Sequence, residues 1–199
     1  MPFPRVAAQS QAGKGRRLEP PRRRSRLGAE TSGRLAIPQL RKQQKDINVL
    51  FVGDGEIKPQ LHQLAHNLNL EDAVQWHGET ADPEKIYMQC DAIIQPSRWE
   101  GCPYTVLEAM ASARPIVASP AGAMPHLVAG CGEIHPLSRI DDWVQTLLSW
   151  KDNSELREAR GNAARERAQK YFSLQTMVAQ TMEVYRDSLA KEKGTFFAK

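Results

Sequence analysis

Three short, unbroken apolar runs constrain this chain most: Val49-Leu50-Phe51-Val52, Ala92-Ile93-Ile94 and Ile116-Val117-Ala118. A strand with one wet face alternates apolar and polar residues, so an unbroken run requires both faces to be covered. The stretches between these runs carry helical periodicity instead. In Lys58 to Asn69, for example, Leu61, Leu64, Ala65 and Leu68 form one apolar stripe. Buried strands alternating with helices predict an α/β fold with one Rossmann-like, doubly wound parallel sheet. Such sheets place ligands beyond the C-terminal ends of their strands.

The same reading predicts a short helix over Leu35 to about Lys45 and a strand over Ala73 to His77, closed by Gly78. A helix begins at Asp82-Pro83 and runs to about Cys90, with Pro at the favoured first position. Further helices are expected at Tyr104 to Ala113 and Pro125 to Ala129, with a weak strand at Glu133 to His135. Three more helices follow near 139–151, 154–171 and 173–190, and Ser154 and Ser173 are the expected N-caps. The expected organisation is a disordered basic tail over 1–34, a folded domain over 35–190 and a flexible terminus over 191–199.

The net charge of +4 belongs to the tail. Residues 1–34 hold nine Lys/Arg against two acids, while the remainder holds 18 against 21. Large apolar residues are scarce in the tail, which predicts disorder. Its Arg22-Arg23-Arg24-Ser25-Arg26 cluster raises nucleic acid or an anionic membrane as partners. No aromatic accompanies the charges, so a solvated tail is preferred and nucleic acid is not expected. No apolar run approaches the length needed to span a bilayer, and the N-terminus lacks a secretory core. Cys90, Cys102 and Cys131 are odd in number and widely spaced, which predicts a reduced, cytoplasmic setting. The five histidines show no metal-ligand spacing, so neither a metal nor a cofactor is expected.

The segment from Pro96 to Ala111 concentrates the chemistry. It reads as a strand end, a loop and the start of a helix, with Glu100 and Glu108 on either side of that helix start. Together with Phe51-Val52-Gly53-Asp54-Gly55, Val74-Gln75-Trp76-His77-Gly78, Asp91 to Ser97 and Pro115 to Ser119, it resembles a known pattern. From about Ile47 to Leu189 the chain is similar to the C-terminal, nucleotide-sugar-binding half of retaining GT-B glycosyltransferases of glycosyltransferase family four.

The resemblance implies transfer of a hexose from a nucleoside-diphosphate sugar to an acceptor hydroxyl, with retention. It implies that Glu100 is the catalytic residue, holding donor-sugar hydroxyls and stabilising charge at the anomeric carbon, while Glu108 holds the ribose. A carboxylate suits adjacent hydroxyls because charged acceptors make the stronger hydrogen bonds. The amides of Tyr104, Thr105 and Val106, beside Gly101, are expected to meet the diphosphate at the helix N-terminus. Arg98 either adds a cation there or is a solvated loop residue. Gly53, Asp54 and Gly55 resemble a donor-site loop, or serve only as a tight turn. His77 lies where the family contacts the nucleobase, and Trp76 is expected in the core.

Several positions depart from the family pattern. The family's acceptor-binding N-terminal domain is expected to be missing, and Gly33-Arg34-Leu35 is not followed by the Lys-Gly that helps grip a diphosphate in the family. This suggests a truncated donor-binding half. Ala113, Ala123 and His126 replace residues common in the family, and Ala123 is unsuited to a positive φ. Met177, Met182, Val184, Tyr185 and Leu189 on the last helix lack the surface that covers them in the family. They favour self-association or a separate acceptor-binding chain. The alternative reading is a non-catalytic nucleotide-sugar-binding module or one subunit of a split enzyme. At family level the expected role is cell-surface polysaccharide or lipopolysaccharide synthesis. Peripheral contact with the inner face of the membrane would accompany it.

Overall fold

The computed structural model describes residues 5–9, 37–43 and 47–196; the side chains of 5–9 and 191–196 are not described. Six parallel strands form one sheet in the order β3-β2-β1-β4-β5-β6. They are β1 (Arg5–Gln9), β2 (Asn48–Val52), β3 (Val74–Gly78), β4 (Ala92–Gln95), β5 (Ile116–Ala118) and β6 (Glu133–Ile134). The described helices are α1 (37–43), α2 (Lys58–Asn67), α3 (Pro83–Gln89), α4 (Tyr104–Ala111) and α5 (Met124–Leu127). They continue with α6 (Ile140–Asp152), α7 (Ser154–Tyr171) and α8 (Leu174–Phe196). This strand order reverses direction between β1 and β4, which makes that junction the topological switch point.

The central strands are buried on both faces, as their composition predicts. Every residue of β4 and β5 is buried. Alternate side chains serve opposite sides, following the period of two in an extended strand. Ile93, Ile116 and Ala118 join one cluster with Ile86, Val106, Met110 and Leu127. Ala92, Ile94 and Val117 join another with Leu40, Trp143, Leu147 and Trp150.

One expectation about the termini is corrected. Residues 1–34 are not wholly an unstructured tail, because Arg5–Gln9 forms β1 and pairs in parallel with both β2 and β4. The physical reason is register: Val6-Ala7-Ala8 fills the gap between two buried strands. The remaining residues of 1–34, including Arg34 and the arginine cluster, lie outside the described residues. Residues 191–196 continue α8 to Phe196.

Local chemistry explains the other boundaries. Asn153, rather than Ser154, caps α7, its side chain accepting from the Leu156 amide at 2.9 Å. Ser173 does cap α8, its Oγ accepting from the Thr176 amide at 3.1 Å. Ala113 takes φ +52, the left-handed conformation that ends α4, although it is not glycine. Ala123 does not need that conformation. Its φ is −77, and the positive φ of this loop falls on Gly122 at +53.

α7 fastens the ends of the site-bearing helices. Arg165 donates to the Ala111 carbonyl at the end of α4. Arg167 donates to the carbonyls of Leu127 and His126 at the end of α5. A cation at a helix C-terminus satisfies carbonyls that lack partners and matches the dipole. A Cβ on Gly161 would overlap the Ala113 carbonyl oxygen, so α7 approaches this turn as closely as backbone allows.

Candidate functional site

Glu100 lies on the loop that leaves β4 at the switch point, and Glu108 lies on α4, the helix that this loop enters. β4 ends on Gln95, which is buried, and the chain then turns through Ser97 and Glu100 into α4. Glu100 is half-buried and held from below. Its Oε1 accepts from Ser97 Oγ at 2.6 Å and from Gln95 Nε2 at 3.1 Å. Gln95 Nε2 also donates to Ser97 Oγ at 2.9 Å, and Ser119 Oγ from the end of β5 donates to the Ser97 carbonyl. Both donors to Glu100 act on the same oxygen, which leaves Oε2 for a ligand.

The loop after β5 closes on the other side. The Ala123 amide donates to the Gly101 carbonyl at 3.1 Å. Gly122 packs against the backbone of Glu100 so tightly that a Cβ there would overlap its carbonyl oxygen. Gly101 itself has open space around its own Cβ position.

Glu108 lies on the exposed side of α4, and its Oε2 accepts from the Tyr87 hydroxyl at 2.9 Å. Tyr87, on α3, is buried. Burial first, and the Glu108 charge next, push its phenol well above the usual tyrosine range, which favours the protonated, donating form. Thr105, also buried, acts in the opposite direction and lowers the phenol's pKa.

The N-terminus of α4 differs in one respect from expectation. Pro103 is the N-cap and offers no side-chain cap. The Val106 amide donates to the Pro103 carbonyl at 3.2 Å, and Val106 is buried. Val106 is therefore not an outward-facing donor, because the first turn is tight enough to use its amide. Tyr104 is exposed at the rim, and so is Arg98.

The remaining candidates stand further along the C-terminal edge of the sheet. Gly53, Asp54 and Gly55 leave β2, two strand spacings of about 4.8 Å from β4. Asp54 accepts from the Gly55 amide at 2.8 Å and pairs with Lys58 at 3.1 Å. These bonds, the amide first, lower its pKa. Gly53, at φ +119, donates to the Gly78 carbonyl at 2.6 Å and ties the ends of β2 and β3 together. His77 is exposed on the outermost strand β3 and is not beside the two glutamates. Trp76 stacks between Phe51 and His62, at 4.8 and 4.2 Å. It lines an apolar pocket with Leu61 and Ala65, which is a packing role.

Sequence reasoning missed Tyr87 and Gln95. A polar residue closing the buried run of β4 was the available signal for Gln95. Tyr87 stands 21 residues before Glu108, and no periodicity links the two. Among the described residues no cluster of His, Cys, Asp and Glu could hold a metal, and no helix is long and apolar enough to cross a membrane.

A doubly wound sheet with this strand order is the Rossmann-like half of a GT-B fold. The chain belongs to the glycosyl transferases group 1 family, whose model matches residues 35–167. It is 32% identical over 161 residues to an MMP α-(1→4)-mannosyltransferase of Mycolicibacterium hassiacum, covering 78% of this chain and 39% of that protein. The structure resembles that of HepE from Anabaena in complex with UDP, with a TM-score of 0.77 at 20% identity. That match covers 94% of this chain and 49% of the other. It also resembles the C-terminal domain of a group 1 glycosyl transferase from Francisella tularensis, with a TM-score of 0.66 at 20% identity. There the match covers 86% of this chain and 87% of that domain. The chain spans less than half the length of the curated relatives it matches.

Proposed function

We propose that this chain is the donor-binding half of a retaining glycosyltransferase that moves a hexose from a nucleoside-diphosphate sugar to an acceptor hydroxyl. The observation that carries this reading is the convergence of Glu100, Glu108 and the start of α4 at the β1/β4 switch point. The family membership and the UDP bound to HepE support it.

In this reading Glu108 holds the ribose, and the amides of Tyr104 and Thr105 meet the diphosphate. Glu100, steadied by Ser97 and Gln95, presents its free oxygen to donor-sugar hydroxyls and to the charge developing at the anomeric carbon. The bond from that carbon to the diphosphate breaks as a bond to the acceptor oxygen forms on the same face. The departing phosphate oxygen takes the acceptor's proton. The protein supplies orientation and charge stabilisation rather than a strong base. Arg98 and the Gly53-Asp54-Gly55 loop border the donor, with His77 towards the base. No metal takes part in this scheme. The product belongs to cell-surface polysaccharide or lipopolysaccharide synthesis, made in the cytoplasm at the inner face of the membrane.

A second reading is that the acceptor site is supplied by another chain, making this one subunit of a split enzyme. It is favoured by α8, where Met177, Val178, Met182, Val184, Tyr185 and Leu189 are all exposed. Thermal melts with UDP, GDP and ADP test the donor reading. One nucleotide should raise the melting temperature in a concentration-dependent way, as binding to the folded state requires. A folded chain that responds to none of the three would refute it.

A further inference from the structure

We propose that Tyr87 is a positioning residue for nucleotide binding, fixing the Glu108 carboxylate so that one oxygen is committed to the protein and the other to a ribose hydroxyl. The inference rests on the donor reading above and deepens it.

Glu108 is exposed on α4, and an exposed glutamate on a helix samples several rotamers. Only one of them can meet a given pair of ribose hydroxyls. Tyr87 removes that freedom before the ligand arrives. Tyr87 is 4% exposed and belongs to the same buried cluster as Val106 and Ala109 of α4. The phenol therefore cannot follow a wandering carboxylate, and the carboxylate must come to it. The hydrogen bond at 2.9 Å ends on Oε2 and leaves Oε1 as the acceptor for a hydroxyl.

Thr105 completes the arrangement. Its side chain is buried beside the phenol, and the phenol's proton goes to Glu108 Oε2 at 2.9 Å. Thr105 also stands in the first turn of α4, where the diphosphate is placed. One chain of contacts thus links the phosphate end of the site to its ribose end. Burial and the Glu108 charge both raise the phenol's pKa, which favours its protonated, donating form.

The test is isothermal titration with whichever of UDP, GDP and ADP binds most tightly, and with its 2′,3′-dideoxy form. Tyr87→Phe removes one oxygen and leaves the buried ring in place. It should weaken the ribonucleotide about three- to ten-fold, the cost of ordering one long side chain on binding. It should leave the dideoxy nucleotide unchanged, because that ligand has no hydroxyl for Glu108. In a Glu108→Ala background, Tyr87→Phe should have no further effect, which a general structural role for the tyrosine would not produce. Equal losses for both nucleotides, or additive losses in the double variant, would overturn the proposal. So would an unchanged Tyr87→Phe beside a weakened Glu108→Ala, and that result would leave the donor reading standing. Binding of none of the three nucleotides would overturn both.

Discussion

Gly122, at φ +53, rests against the peptide of Glu100, and a Cβ there would lie 2.7 Å from the Glu100 carbonyl carbon and overlap its oxygen. Two loops that leave neighbouring strands are thereby locked together around the candidate sugar acid. Gly122→Ala adds both conformational strain and a backbone clash, and should cost about 2–4 kcal/mol. Gly78, at φ +78, has nothing within 4 Å of its Cβ position. Gly78→Ala should therefore cost only the strain, about 1–2 kcal/mol. Urea unfolding of the two variants checks the difference, and equal midpoints would contradict the close approach.

Ala113 presents the opposite case, an alanine held at φ +52. Glycine has no Cβ to clash in this conformation, so Ala113→Gly should stabilise the protein by about 1 kcal/mol. The melting temperature should rise, and a fall would show that the turn after α4 does not carry the strain assigned to it.

Tyr87 couples stability to alkaline pH. Its pKa is raised in the folded state, so its contribution is complete below the unfolded-chain value of about 10. As pH rises past that value the unfolded chain loses the proton first, and stability falls. The stability advantage of the wild type over Tyr87→Phe should be constant to about pH 9 and shrink above about pH 10. Denaturant midpoints across this range measure it. An advantage that grows with alkalinity would reverse the sign and contradict the burial of the phenol.

Most of the fold was legible because buried strands and amphipathic helices leave periodic traces. Ala92–Gln95 and Lys58–Asn67 announce themselves within a single window. β1 did not, because five residues, Arg5–Gln9, are embedded in a stretch dominated by arginine, glycine and proline. Its place in the sheet comes from the two neighbours it joins, and composition averages over such pairing. The Glu100 and Glu108 loop was legible from its strand–loop–helix context. Its supports were not. Ser119 and Tyr87 act across tertiary contacts that spacing along the chain does not encode, whereas Gln95 is local, five residues from Glu100. The loop after β5 shows the same limit from the other side: Ala123 drew attention as a misplaced alanine, whereas Gly122 beside it carries the positive φ.

Ser97 tests whether Glu100 needs its support. Ser97→Ala removes the 2.6 Å bond to Oε1 and should weaken binding of a nucleotide sugar by about 1–2 kcal/mol while leaving the free nucleotide unchanged. Competition titration separates the two ligands. Equal weakening of both would place Glu100 against the nucleotide rather than the sugar.

The central claim is that the switch-point acids form a nucleotide site, and titration of the wild type and Glu108→Ala with UDP, GDP and ADP tests it most directly. The account predicts saturable binding of one nucleotide by the wild type and binding at least about ten-fold weaker in the variant, as loss of a charge-assisted hydrogen bond requires. Its fold should be unchanged by circular dichroism. Identical affinity in the two folded proteins would contradict the claim.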